Sequence, residues 1–315
     1  MDQTTTATSS APEARIDRGA GGVAFGVGAY LCWGFFPLYW PLLDPASPLE
    51  ALAHRVVWSV VFVALLLTVT RRWRAFLAIT RQPRVVALLF ASSVVIAINW
   101  GTFIYGVTND RVIETSLGYF MNPLVTVMLG VLVLGERLRR LQWTAVAIGA
   151  VAVVVLAVDY GHLPVVALSV AFSFAAYGFL KKKVDLGTIE ALGMETLLLT
   201  PFALAFLTWL AFNGTLVFGH EGTGNALLLA GTGVVTAIPL LLFGAAATRL
   251  NLAAIGLLQY LVPALQFIMG LVVFGETMTP PRWAGFGLVW LALVLFTTDA
   301  LRNRKRPVPV EPIPT

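Results

Sequence analysis

The chain has 315 residues, of which 58% are hydrophobic and only 12% are charged. A soluble domain carries about 25% charged residues, so this composition, with a mean hydropathy of +0.84, excludes an ordinary soluble protein. The net charge of +5 comes from basic loops, and we expect no nucleic-acid partner. Cys32 is the single cysteine, which excludes an intrachain disulfide and a cysteine metal site.

Ten apolar runs approach or exceed the roughly 20 residues that a helix needs to cross a bilayer. The predicted spans cover about 22–43, 49–70, 85–107, 112–137, 141–158, 163–180, 188–212, 225–248, 252–274 and 282–300. Residues 1–20 are polar and predict a disordered tail rather than a cleaved signal peptide. Residues 301–315 are basic and then proline-rich, which predicts a flexible tail with polyproline character.

Lysine and arginine concentrate on one side of the predicted membrane protein. That side carries 18 of the 21 basic residues, in both termini and in the loops after spans two, four, six and eight. The other side carries only Arg111 and Arg282, while Arg55 lies within a span. The positive-inside rule then predicts a multi-pass protein of the cytoplasmic membrane with both termini in the cytoplasm.

The second half of the chain repeats the first at an offset of 140 residues. The aligned pairs are Pro123 with Pro263, Gly130 with Gly270, Gly135-Glu136 with Gly275-Glu276, and Trp143 with Trp283. Each half has five spans, an odd number, so the two halves insert with opposite orientations. We therefore predict an all-α polytopic membrane protein with ten transmembrane helices, built as two inverted five-helix repeats at 21–158 and 161–300.

Several sequence runs carry a resemblance to a known family. They are AHRVVWS (53–59), AINW (97–100), ETSLGYFMNPLV (114–125), AFSFAAYG (171–178) and AAATRL (245–250). With the ten spans and the repeated Gly-Glu pair, these runs resemble the EamA family of the drug/metabolite transporter superfamily, and within it the RarD permeases, the "chloramphenicol-sensitive protein" group. The resemblance covers about residues 20–300. It implies a cytoplasmic-membrane permease and supplies no substrate.

Polar residues recur near the middle of spans four and nine. Pro123 and Pro263 each leave a backbone carbonyl without its helical donor, so we expect two kinked helices around a central cavity, or kinks that only shape packing. Gln259, Pro263, Gln266 and Gly270 have the spacing of one helix face. We expect the polar part of this face to line the cavity and the glycine part to pack on a neighbouring helix.

The predicted substrate-binding residues combine these positions with polar and aromatic residues of other spans. They are Arg55, Asn99, Trp100, Tyr119, Asn122, Gln259, Tyr260 and Gln266. Arg55 suits a carboxylate, although a long basic side chain also reaches toward the membrane surface. Glu195 is its repeat equivalent and the candidate for proton coupling. We expect no metal ion and no cofactor.

The leading functional hypothesis is a secondary transporter that moves a small organic metabolite or drug-like solute by alternating access. A channel or a sensory membrane protein is the first alternative, and an intramembrane enzyme is the second. The chain has neither a His-Glu-x-x-His run nor a Gly-x-Ser-x-Gly run, which argues against an enzyme, and it has no Walker motif for a pump. The substrate, the direction of transport, the coupling ion and the choice between monomer and homodimer stay open.

Overall fold

The computed structural model describes residues 13–134, 138–181, 183–184, 186–247, 249–250, 255 and 258–302. Within these residues the secondary structure is entirely helical. The α-helices are α1 (Glu13–Gly34), α2 (Pro48–Val69), α3 (Trp73–Ile79), α4 (Pro83–Thr108), α5 (Val112–Leu134), α6 (Arg140–Tyr160), α7 (Val165–Lys181), α8 (Thr188–Phe212), α9 (Gly222–Ala247), α10 (Leu261–Val272) and α11 (Pro280–Arg302).

The helices confirm the predicted fold class. Eight of them are long and apolar enough to cross a membrane, and the shorter apolar helices α7 and α10 occupy spans six and nine. Phe212, Val158 and Val272 are each more than 75% exposed, and a surface this apolar is suited to lipid rather than water. The chain is therefore a multi-pass membrane protein, with the short helix α3 connecting the second and third spans.

The first span differs from the continuous helix predicted for 22–43. Its α-helix ends at Gly34, and the chain continues in 3₁₀ turns up to Leu43. Pro37 has no N–H to donate to the Trp33 carbonyl one turn earlier. That carbonyl instead accepts a hydrogen bond from Gln266 Nε2 of α10 at 3.4 Å. The proline therefore ends the α-helix inside the bundle and frees a carbonyl for another helix.

The tails are described only in part. Helix α1 begins at Glu13, so residues 13–20 are helical although the sequence predicts a disordered tail over 1–20. Ala14 and Arg15 favour a helix, and the following apolar span continues it. Residues 1–12 and 303–315 lie outside the described residues.

The two repeats interleave. Helix α5 of the first repeat packs on α7 and α10 of the second, and α2 packs on α8 and α9. Equivalent helices of the two repeats make equivalent contacts. The packing of α5 on α7 recurs as α10 on α1, and the packing of α2 on α9 recurs as α8 on α4. A two-fold axis that relates the two repeats requires each contact between them to occur twice in this way. Half of α5 is buried, the largest share among the eight long helices, which agrees with a central position.

Two ion pairs show the repeat at the level of single residues. Asp159 and Asp299 are equivalent in the 140-residue register. Asp159 Oδ2 lies 2.7 Å from Arg282 Nε at the beginning of α11. Asp299 Oδ2 lies 2.9 Å from Arg139 Nε just before α6. Each pair joins the end of one helix to the beginning of its equivalent. We call the end of the bundle near Arg139 the basic face and the end near Arg282 the opposite face.

Candidate solute-binding site

Arg55 lies in the second turn of α2, enclosed by aromatic side chains. Ser47 caps this helix through its side chain, and Arg55 is only 3% exposed. Its guanidinium carbon Cζ lies 3.9 Å from the centroid of the Trp100 ring. The rings of Trp40 and Phe36 lie 5.3 Å and 5.8 Å from the same atom. We call these three rings, which come from α4 and from the turns after α1, the aromatic box.

The charge of Arg55 has no carboxylate partner in the described part of the chain. The ion pairs there all involve other basic residues. The Nε of Arg55 is buried without an acceptor, and so is the indole Nε1 of Trp40. The box therefore holds a cation that the described residues stabilise mainly through aromatic rings.

Asn99 joins three helices beside the box. It donates from Nδ2 to the Val170 carbonyl at 3.0 Å and to Ser173 Oγ at 3.1 Å, both on α7. Its Oδ1 accepts a hydrogen bond from the Tyr119 hydroxyl of α5 at 3.2 Å. We call this set the polar junction. Because Asn99 directly precedes Trp100 on α4, the junction adjoins the aromatic box, and four of the predicted binding residues come together here.

Asn122 and Gln266 each hydrogen-bond a backbone carbonyl of the other repeat. Asn122 Nδ2 donates to the Ala171 carbonyl of α7 at 3.3 Å. Gln266 Nε2 donates to the Trp33 carbonyl of α1, while its Oε1 is buried without a donor. The two contacts lie on equivalent helix pairs, α5 with α7 and α10 with α1. Both residues therefore lie between the repeats, as a shared central path requires.

The segment before α10 differs from a simple kinked helix. Gln259 and Tyr260 form a turn, so Pro263 falls in the first turn of α10, where a missing N–H is tolerated. Pro123, in contrast, lies inside α5. The Tyr260 hydroxyl lies 3.4 Å from Thr297 Oγ1 of α11, and this contact directs it to α11 instead of the polar junction. Gln259 is half-buried beside it.

A second buried cluster surrounds Glu195 in the half of the bundle nearer the basic face. Glu195 is 2% exposed and accepts hydrogen bonds from the hydroxyls of Ser92 on α4 and Tyr177 on α7. Lys181 Nζ lies 3.1 Å from its Oε1, so this carboxylate is paired. In the sequence, Lys181 serves only to predict which side of the membrane its loop occupies. Its spacing of four residues from Tyr177 nevertheless places both side chains on one face of α7.

Glutamates near the opposite face accept hydrogen bonds from the beginnings of helices in the other repeat. Glu276 Oε1 accepts from the backbone N–H of Val112 at 2.5 Å and of Ile113 at 3.2 Å. Glu114 accepts from Val166 N at 3.0 Å. Burial raises the pKa of Glu276 to about 7. These carboxylates therefore satisfy orphan N–H groups at the beginnings of α5 and α7.

A small pocket with a cavity volume of about 120 Å³ opens among these glutamates. It is lined by Asp110, Arg111, Ile113, Glu114, Tyr160, His162, Glu276, Thr277, Met278 and Arg282. Both basic residues that the sequence assigns to this face therefore reach one pocket, which no sequence spacing indicated.

Comparison with known proteins agrees with this architecture. A family model described as EamA-like transporter family matches residues 20–158 and 164–298. The chain is 52% identical over 285 residues to "Protein RarD" of Streptomyces exfoliatus, with 90% of each chain covered. It is 42% identical over 288 residues to "Uncharacterized transporter YojE" of Bacillus subtilis (strain 168), with 90% of this chain and 96% of the relative covered.

One solved structure, described as "Crystal structure of protein", superposes with a TM-score of 0.56 at 17% identity. The match covers 91% of this chain and 99% of that chain, and it shows a shared fold. The two family matches fill nearly the whole length of the chain, and the relatives above exceed 40% identity. The chain therefore belongs to the EamA-like transporter family, as a RarD-type member.

Proposed function

We propose that the protein is a secondary transporter that moves a small organic solute across the cytoplasmic membrane by alternating access. The observation that carries the proposal is the buried Arg55, which lacks a carboxylate partner in the described residues and adjoins the polar junction. Ionisable side chains inside a membrane are costly and mark solute paths. The junction draws on helices of both repeats, so relative movement of the repeats changes the surroundings of a bound solute.

The repeat relation between Arg55 and Glu195 supports alternating access. Each lies seven residues after the first residue of its helix, α2 or α8, about 10 Å in at 1.5 Å per residue. Because the repeats are inverted, Arg55 lies toward the opposite face and Glu195 toward the basic face. Rocking of one repeat against the other then opens the central path to each face in turn. We assign proton coupling to Glu195, because its protonation releases Lys181.

The orientation in the membrane belongs to the same proposal. The loop charges favour a cytoplasmic basic face. In a Cys32→Ser background, we expect Lys183→Cys to be protected in intact cells from a membrane-impermeant thiol reagent, and Gly222→Cys to react. The reverse pattern would contradict the orientation and leave the fold unchanged.

A channel or a sensor is less consistent with this site. A channel selects ions with a ring of groups along an open pore, whereas the polar junction consists of mutually hydrogen-bonded side chains. The family match and the relative from Bacillus subtilis carry transporter names, which supports a carrier rather than an enzyme.

Transport can be tested without a known substrate. Metabolites inside and outside cells are compared with and without the protein, and any solute whose distribution changes is then offered to proteoliposomes. We expect at least one solute to accumulate chemically unchanged in liposomes containing the protein and not in liposomes containing Arg55→Met. Conversion of the solute, or equal accumulation in protein-free liposomes, would contradict a transporter.

A further inference from the structure

Two N–H donors of the aromatic box are buried without an acceptor in the described part of the chain. Arg55 is always charged and offers five N–H donors with no acceptor of its own. Its Nε and the Nε1 of Trp40 are both buried without a partner in the described residues, and both residues are at least 97% buried. Both residues belong to the aromatic box, where the Arg55 Cζ lies 5.3 Å from the centroid of the Trp40 ring, and a buried donor without an acceptor is costly.

Polar groups near Arg55 in the sequence or in the polar junction already have other partners. Glu50, five residues before Arg55 on α2, accepts hydrogen bonds from the backbone N–H groups of Val217 and Phe218, and His54 Nε2 lies 3.8 Å from it. Asn99 and Tyr119 already hydrogen-bond each other.

Basic side chains at the ends of the helices, in contrast to Arg55, form ion pairs with carboxylates. Five of them are paired with a carboxylate, as Arg72 with Glu190, Arg111 with Glu114, Arg139 with Asp299, Lys181 with Glu195 and Arg282 with Asp159. Cation–π contacts with the box offset only part of the cost of burying the Arg55 guanidinium. The carboxylates of the described residues therefore leave the charge of Arg55 without a counter-ion.

We propose that the aromatic box binds the oxyanion of an organic acid, with a carboxylate on Arg55 and Trp40 and a flat apolar group against Trp100 and Phe36. This inference rests on the proposed transport function and names its substrate class. A planar guanidinium matches the two oxygens of a carboxylate in a forked arrangement. The three rings offer apolar area that a small inorganic anion cannot use, so an aromatic or unsaturated carboxylate fits the box better than phosphate.

Binding of simple probes to the purified full-length protein tests this proposal. Benzoate carries both the charge and the ring, benzamide keeps the ring without the charge, acetate keeps the charge without the ring, and inorganic phosphate is an oxyanion without a ring. Equilibrium dialysis gives the dissociation constants. We expect benzoate to bind about tenfold or more tightly than each of the other three probes.

Variants separate the box from general charge effects. We expect Arg55→Met to abolish benzoate binding, and Trp40→Phe, which keeps a ring but removes the donor, to weaken it severalfold. Arg84→Met removes an exposed arginine and serves as the charge-matched control with unchanged binding. Trp40→Phe also keeps the test valid if Arg55→Met does not fold, since it leaves the arginine in place.

The outcomes distinguish this inference from the proposed function. Absence of benzoate binding, equal binding of benzamide, or full binding by Trp40→Phe would overturn the organic-acid proposal. Transport of a neutral solute in proteoliposomes would then leave the transporter proposal intact. Benzoate binding that requires Arg55 and Trp40 supports the inference even if no transport is measured. Absence of transport would contradict only the transporter proposal.

Discussion

The guanidinium Cζ of Arg55 lies 3.9 Å from the centroid of the Trp100 ring, although the two residues come from different helices. Arg55 lies on α2 and Trp100 on α4, beside the polar junction. A stacked guanidinium keeps its N–H edge available while its face is covered. This arrangement holds the cation in place, and we propose that its donors bind the solute.

The first prediction concerns this stacking. Trp100→Leu removes the cation–π contact, which is worth about 2 kcal/mol when it is desolvated. We expect the solute concentration for half-maximal transport to rise about thirtyfold, with a smaller rise for Trp100→Phe. Transport kinetics in proteoliposomes measure this. Trp209→Leu removes an exposed tryptophan and should transport normally; an equal effect in both variants would contradict a specific role of the stacking.

The second prediction concerns the pair of Lys181 and Glu195. Lys181→Met leaves the buried carboxylate without its cation, so we expect a loss of about 3 kcal/mol in the free energy of unfolding. Glu195→Gln should cost less, because the Lys181 side chain is 29% exposed and reaches water. Denaturant unfolding in detergent measures both. If coupling uses Glu195, Glu195→Gln also loses the response of transport to a proton gradient, whereas the exposed control Glu221→Gln keeps it.

The third prediction is a pH dependence at the opposite face. Burial raises the pKa of Glu276 from 4.5 to about 7, partly opposed by the hydrogen bonds from Ile113 and Val112. The folded protein therefore binds this proton more tightly than the unfolded chain. The protonated Glu276 carboxyl therefore stabilises the folded state. This stabilisation is fully present below pH 4.5 and is lost as the pH rises through about 7.

We expect the melting temperature of the wild type, relative to Glu276→Gln, to fall by a few degrees between pH 5 and 7.5. The charged or titratable groups that line the same pocket are Asp110, Arg111, Glu114, Tyr160, His162 and Arg282. His162→Asn, which changes another residue of the same pocket, is measured in parallel as a control. A constant difference between wild type and Glu276→Gln across this range would refute the assignment.

The fourth prediction concerns close packing of α5 on α7. A Cβ atom at Gly118 would lie 2.5 Å from the backbone oxygen of Ala167, which cannot move without displacing α7. We expect Gly118→Ala to destabilise the protein by about 1–3 kcal/mol. Gly178→Ala is the matched control, because a Cβ there meets nothing within 4 Å. Thermal unfolding in detergent compares the two, and equal stability of both variants would contradict this helix contact.

The sequence predicts much of the fold because the 140-residue register survives in rare residue types. Asp159 and Asp299 extend that register, and each forms an ion pair with an arginine of the other repeat, which apolar periodicity alone does not reveal. The α-helix of α1 ends early, at Gly34, because Pro37 has no N–H to donate to the Trp33 carbonyl. Hydropathy averages over such a residue and therefore predicts a continuous span.

The candidate site was predictable in part. Polar residues inside apolar spans identify Arg55, Asn99 and Tyr119, because such groups are costly in lipid. The partners of these residues depend on which helices interleave, and no spacing along the chain encodes that. Trp40 and Lys181 were therefore missed as neighbours of Arg55 and Glu195, since both look like ordinary interfacial or loop residues in sequence.

Accessibility of the polar junction from the two faces tests the central claim most directly. Ser173→Cys in a Cys32→Ser background places a small thiol beside Asn99, and Gly222→Cys serves as the control for one face. Right-side-out and inside-out vesicles are treated with an impermeant thiol reagent. Alternating access predicts that Ser173→Cys is labelled from both faces, more slowly when solute is bound, while Gly222→Cys is labelled from one face. Labelling of Ser173→Cys from a single face under every condition, with or without solute, would contradict a transporter that works through this site.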